Sequence, residues 1–253
     1  MVRTLLICGL VAGVVAGVLA FAFESLVGEP AVDAAIAYEE AGAQAVGAAG
    51  EPGSEPVSRD VQKGLGLLSA SVVYGLALGG LFALAFAFGY GRIGRGRWSP
   101  GRTALGLAAA AFVVIFLVPA LKYPPNPPAV GDPDTIGQRT ALYLTMVAIS
   151  IAAAVAGWRL ARLLAAHLPG DTASILGVLG YVAIATLAAL ALPGGAAIPP
   201  AFPADTLWEF RQASIGTQLV LWSAIGVVFA PLAQRVMTGR SLPSPRRVAA
   251  AGD

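Results

Sequence analysis

Residues 65–90 read LGLLSASVVYGLALGGLFALAFAFGY, 26 positions without one charged side chain. A helix needs about 20 mostly apolar residues to cross a hydrocarbon layer roughly 30 Å thick. This stretch is long enough. It is apolar all round rather than striped, so lipid or other helices must surround it. A strand reading fails, because the run lacks alternation and is too long for a barrel strand.

Five further stretches have the same character, so six spans are expected over residues 4–23, 65–90, 103–121, 140–165, 173–192 and 214–236. The composition agrees: of 253 residues 57% are hydrophobic and only 12% charged, with a mean hydropathy of +0.76. Soluble domains carry about 25% charged residues. Disorder is excluded by the hydrophobicity, a disulfide framework by the single Cys8, and nucleic-acid binding by the scattered arginines and a net charge of +2. The expected fold is an all-α, polytopic integral membrane protein forming one membrane domain over 1–253. The first span has a weak cleavage-like Ala20-Phe21-Ala22, but its apolar run exceeds the 7–15 residues usual in a signal sequence, so it is expected to be retained.

Charge orients the spans. With the N-terminus inside, the inner side carries Arg3, Arg92, Arg95, Arg97, Arg102, Arg159, Arg162, Arg235, Arg240, Arg246 and Arg247, which are 11 of the 16 basic residues. Basic residues stay on the cytoplasmic side, so N-in and C-in is expected, in the inner (cytoplasmic) membrane. Twelve of 14 acids fall outside: with five bases against twelve acids the outer side sums to −7, and with eleven against two the inner side sums to +9. An acidic outer face concentrates cations; solvated loops also carry acids for solubility alone.

The outer segments are where the sequence is specific. The first opens with Glu24-Ser25-Leu26-Val27-Gly28-Glu29-Pro30 and Asp33, read as a turn at 28–30 followed by a short helix; its Ala/Gly/Glu-rich part, 41–54, reads as a flexible linker. The second, Lys122-Tyr123-Pro124-Pro125-Asn126-Pro127-Pro128-Ala129-Val130-Gly131-Asp132-Pro133-Asp134-Thr135, is stiffened by five prolines, with Asp134 placed to cap the next helix or to act as a ligand. The third runs from Ile198 to Arg211; Asp205 is an N-cap candidate for a short interfacial helix, and Trp208 and Phe210 suit the headgroup level. Candidate cation ligands are Glu24, Glu29, Asp33, Asp134 and Asp205. Tyr123, Pro124, Pro125, Asn126, Arg139, Trp208 and Arg211 are expected to build the outer mouth, Arg139 and Arg211 by pairing with acids.

Little chemistry lies within the spans. No Asp, Glu, Lys or Arg falls near the middle of any, which argues against a self-contained proton-driven pump. Gln218, the most polar residue at depth, is expected to hydrogen-bond between helices. Gly9, Gly13 and Gly17 make a small-residue face that serves either internal packing or a partner subunit. With one His (His167) and one Cys the chain cannot build a His₂ or Cys₂ site, so any transition metal it handles meets carboxylates, carbonyls and water, or ligands from a partner. No nucleophile–base set, phosphate loop or redox motif is present, and an enzyme is not expected.

The chain resembles the CbtA family of cobalt transporter subunits linked to vitamin B12 synthesis. The resemblance runs through nearly all of it: Gly28-Glu29-Pro30 with Asp33 and Glu39-Glu40; Val57-Ser58-Arg59 with Gln62 and Gly64; Lys122 to Pro128 leading to Asp134-Thr135-Ile136 and Arg139; and Phe202-Pro203-Ala204-Asp205 with Leu207-Trp208 and Phe210-Arg211. It implies cobalt(II) as substrate, with no permanently bound cofactor, and a small single-span membrane partner whose His-rich tail supplies the soft ligands missing here. Family members are usually described with five spans, whereas six are counted here. Two other readings stay open: a structural, partner-binding membrane protein that transports nothing, and a carrier of a corrinoid or other organic solute, for which Tyr123, Trp208 and Phe210 matter more than the acids.

Overall fold

The structure is a computed structural model and describes residues 1–45 and 57–239. Those residues contain no strand, and six helices are long and apolar enough to cross a membrane: α1 (Val2–Ala45), α2 (Arg59–Gly89), α3 (Pro100–Lys122), α4 (Pro133–Leu164), α5 (Gly170–Ala191) and α6 (Ala204–Thr238). Six such helices, the number expected from the sequence, are therefore found among the described residues. Of the expected linker, Ala41–Ala45 is helical and the remainder lies outside the described residues.

The turn expected at 28–30 does not form. Residues Glu24–Gly28 instead make a π-helical turn, with the Glu29 N–H reaching back to the Glu24 carbonyl, and the helix continues. The same device recurs in α3, where Phe112–Leu117 is π-helical and the Val118 N–H bonds to the Val113 carbonyl. In both cases a proline, Pro30 or Pro119, follows one residue later. Proline inside a helix clashes with the carbonyl four residues back. In these two places the widened turn lies just before the proline and the helix continues through it; a third π-helical turn, Gln62–Gly66 in α2, has no proline after it.

The chain divides into two compact units. The first comprises Met1–Ala22, Arg59–Ala109 and the chain from Leu219. Its packing begins with glycine. Along α1 and α2, Gly9 lies against Gly79, Gly13 against Gly75 and Gly17 against Ser71, an antiparallel register in which each added Cβ would strike the opposite backbone carbonyl. The small face of α1 thus serves internal packing. Larger side chains fill the rest: Phe82 and Phe86 meet Phe229 edge-on at 5.2 and 5.1 Å. Ser99 caps α3 by accepting from the Arg102 N–H at 3.3 Å, with Pro100 in the first helical position. The Gly101 N–H donates to Gln234 Oε1 at 3.1 Å, tying α3 to α6.

The second unit comprises Phe23–Ser58 and Ala110–Gln218. Helices α4 and α5 approach closely at Gly157 and Gly177, where either Cβ would meet the other's carbonyl at 2.5 Å. Their polar link is Ser150 Oγ with Tyr181 Oη at 3.0 Å. Gln218 does not play the bonding role expected of it through its carbonyl: Oε1 is buried without a partner among the described residues. A double-mutant cycle of Ser150→Ala and Tyr181→Phe in detergent should return a coupling of about 0.6 kcal/mol, the average for such pairs in membrane helices; zero coupling would show the contact to be incidental.

Candidate functional site

Three connecting segments of the second unit converge through one apolar cluster. Ala35 of α1, Val130 of the proline segment and Phe202 before α6 are buried together, with Tyr38, Ala129 and Leu207 packed against them. Tyr38 and Phe202 meet edge-on at 5.0 Å. This cluster anchors the proline segment.

The segment is further held by its own turn. After Pro127 the chain turns: Ala129 takes a left-handed φ of 64° and Gly131 one of 97°. Alanine disfavours that region by roughly 1–2 kcal/mol, so the surroundings must enforce it. The Val130 N–H bonds to the Pro127 carbonyl at 3.3 Å. Arg139 Nη1 donates to the Val130 carbonyl at 3.2 Å and Nη2 to the Asp132 carbonyl at 3.3 Å. The positive φ at residue 131 favours glycine, and a Cβ there would also displace the Arg139 guanidinium.

Two cap assignments change. Asp132, not Asp134, caps α4: its Oδ1 accepts from the Asp134 N–H at 2.9 Å. The short Pro133–Thr135 turn starts the helix earlier than the apolar pattern alone indicates, which places Asp134 inside the first turn. Asp205 is likewise the second residue of α6, following Pro203, rather than its N-cap. There its carboxylate still suits the positive end of the helix dipole. Nor is that helix short and interfacial; it runs unbroken for 35 residues to Thr238.

Beside the cluster lies a cavity of about 560 Å³. Tyr123, Pro124, Pro125, Asn126, Arg139 and Arg211, six of the seven residues expected to build the mouth, line it. The seventh, Trp208, is 63% exposed. Arg211 Nη2 donates to Asn126 Oδ1 at 2.8 Å, joining α6 to the proline segment. Both arginines therefore hold the loops as expected, but through amide and carbonyl oxygens in these contacts rather than through acids. The Tyr123 hydroxyl donates to the Pro193 carbonyl at 2.9 Å, and burial raises its pKa, so it stays a donor. Lys122, Thr140, Tyr143, Gly195 and Ala196 also line the cavity, and the sequence does not mark them for it. Gly195 and Ala196 carry no charge or motif, Lys122 stands only as the first residue of the proline segment, and Thr140 and Tyr143 fall within an expected span.

The five candidate ligands are placed differently. Asp33, Asp134 and Asp205 are exposed, while Glu24 and Glu29 are partly buried. Among the described residues no group of three His, Cys, Asp or Glu side chains could hold a metal ion.

Six helices long and apolar enough to cross a membrane define a multi-pass membrane protein. The family model described as "Probable cobalt transporter subunit (CbtA)" matches residues 2–234, and the chain belongs to that family. No curated protein and no solved structure shows a significant match.

Proposed function

We propose that this chain is the membrane subunit of a cobalt(II) uptake system, set in the inner membrane with both termini inside and serving cobalamin synthesis. The family match across residues 2–234 carries this reading. The acids of the outer connections, Glu24, Glu29, Asp33, Asp134 and Asp205 among them, raise the local concentration of the hydrated ion. Exposed carboxylates give weak and poorly selective sites, so selectivity falls to a partner bearing histidines. The proline segment and the start of α6 give these acids a rigid frame, and the cation collects at the acids rather than in the cavity lined by Lys122, Arg139 and Arg211.

The test is uptake of radiolabelled cobalt into cells lacking other importers. The chain is expressed alone, with its genomic membrane neighbour, and as an Asp134→Asn/Asp205→Asn double variant. Uptake is expected to require the chain and to fall severalfold in the variant, with the loss shrinking at high ionic strength as screening removes the field. No uptake above empty cells, despite correct insertion with the neighbour present, would overturn the cobalt reading. Undiminished uptake in the variant would remove the acids from it.

A further inference from the structure

Three of the sixteen residues lining the cavity are cationic, Lys122, Arg139 and Arg211, and none is a carboxylate. The remaining polar side chains are neutral: the Asn126 amide and the hydroxyls of Tyr123, Thr140 and Tyr143. Asn126 Oδ1 already accepts from Arg211, and the Tyr123 hydroxyl is committed as a donor to Pro193. The Nε atoms of Arg139 and Arg211 are buried and have no acceptor among the described residues. Such a site is rich in donors and positive charge and would repel a bare divalent cation. The apolar part of the lining comes from Phe116, Ile136, Leu142 and Ile198. The volume falls within the usual range of small-molecule sites, about 300–1,000 Å³.

We propose that this cavity binds the oxyanion, phosphate or carboxylate, of an amphiphilic molecule whose apolar part lies against Phe116, Ile136, Leu142 and Ile198. Arginine matches an oxyanion with a planar fork of donors, and lysine adds a mobile point charge. The two kinds of cation are held differently. Arg139 is fixed on the carbonyls of Val130 and Asp132, and Arg211 on Asn126. Lys122 rests over the Tyr123 ring, its Nζ 5.7 Å from the centroid, and can swing toward a ligand without undoing a loop. Two sources carry the required chemistry: an anionic phospholipid, and a free organic phosphate or carboxylate. The site stands whatever ion the chain moves, because it rests on the lining and not on the exposed acids.

The experiment uses the full chain in nanodiscs and reads the thermal midpoint, since a ligand that binds only the folded state stabilises it by RT ln(1 + [L]/Kd) and so raises the midpoint. One arm titrates phenyl phosphate into discs of phosphatidylcholine alone. The other compares those discs with discs doped with phosphatidylglycerol. A saturable rise with phenyl phosphate identifies a free solute, and a rise only on doping identifies a lipid headgroup; either supports the site. In the arm that responds, Lys122→Gln is expected to weaken binding about tenfold or more, about 1.4 kcal/mol. Lys122→Arg should retain it, and so should Arg235→Gln, which removes an exposed cation outside the lining. No response in either arm, or unchanged affinity in Lys122→Gln, would overturn the proposal. Because the readout is equilibrium binding, its failure leaves the cobalt uptake result untouched, and the reverse.

Discussion

Gly13→Ala is expected to destabilise the protein by about 1–3 kcal/mol, the usual effect of forcing a methyl group into a packed interface. The added Cβ would strike the Gly75 carbonyl oxygen and come within 2.9 Å of its carbon and 3.0 Å of Leu76 Cα. All three are backbone atoms, so no side chain can swing aside, and α1 must move away from α2. Separation then costs contacts along the whole line, because Gly9 with Gly79 and Gly17 with Ser71 share the same register. In a membrane there is no hydrophobic force to press the helices together again, since lipid tails are as apolar as the side chains. What is lost is close van der Waals contact, which falls off steeply with distance. Gly42→Ala provides the contrast. It lies in the same helix, and a methyl group there would find no atom within 4 Å, so alanine should be neutral or stabilise by up to about 1 kcal/mol. Thermal unfolding of both variants in a mild detergent measures the difference. Equal midpoints would mean that the two helices are not interlocked through Gly13.

The spans are readable because the membrane imposes a rule that local sequence obeys: about 20 apolar residues without charge. That rule says nothing of where a helix stops outside the apolar layer. Hence the real helices overrun the expected spans, most of all α1, which continues to Ala45. Gly28-Glu29-Pro30 carries the composition of a turn, yet the helix passes through it. The deciding feature is a hydrogen-bond shift in the preceding five residues, and Glu-Ser-Leu-Val-Gly has no composition that announces it. Asp134 and Asp205 look like caps and are not, for a related reason. Both follow a proline by one or two positions, and proline's fixed φ starts each helix before the aspartate is reached.

The candidate site divides along the same line. Tyr123, Asn126, Arg139 and Arg211 stand out because polar and aromatic groups are scarce in so apolar a chain, and the structure gathers them around one cavity. The partners of the arginines are not legible. Sequence offers acids as the natural mates of a guanidinium, but backbone carbonyls are available everywhere and leave no mark in the sequence. The left-handed Ala129 is invisible too, since alanine gives no hint of positive φ. Gly131 is visible only as a glycine, without the positive φ that favours it or the guanidinium beside it.

Arg139→Met should open the turn that Arg139 closes. Two donated hydrogen bonds would vanish, leaving the Val130 and Asp132 carbonyls to find other donors. Hydrogen bonds from a charged donor contribute about 1.5–3 kcal/mol each, and the 3.2 and 3.3 Å lengths put these at the lower end. The segment also stores the unfavourable φ of Ala129, which favours opening once the clamp is gone. The expected readout is local: amide hydrogen exchange at Val130, whose N–H bonds to Pro127, and at Thr135, whose N–H bonds to Asp132 at 3.1 Å, should accelerate about tenfold or more. The Tyr90 amide, bonded to Phe86 at 2.8 Å at the end of α2, serves as the unaffected reference. Arg139→Lys separates charge from geometry. Lysine keeps the positive charge but cannot span two carbonyls with one planar fork, so it should restore little of the protection. If lysine restores all of it, the turn is held by charge alone, and the two-carbonyl clamp is not what closes it. If methionine leaves both amides as slow as before, the prolines and the Ala35–Val130–Phe202 cluster suffice to hold the segment, and Arg139 is free for the anion alone.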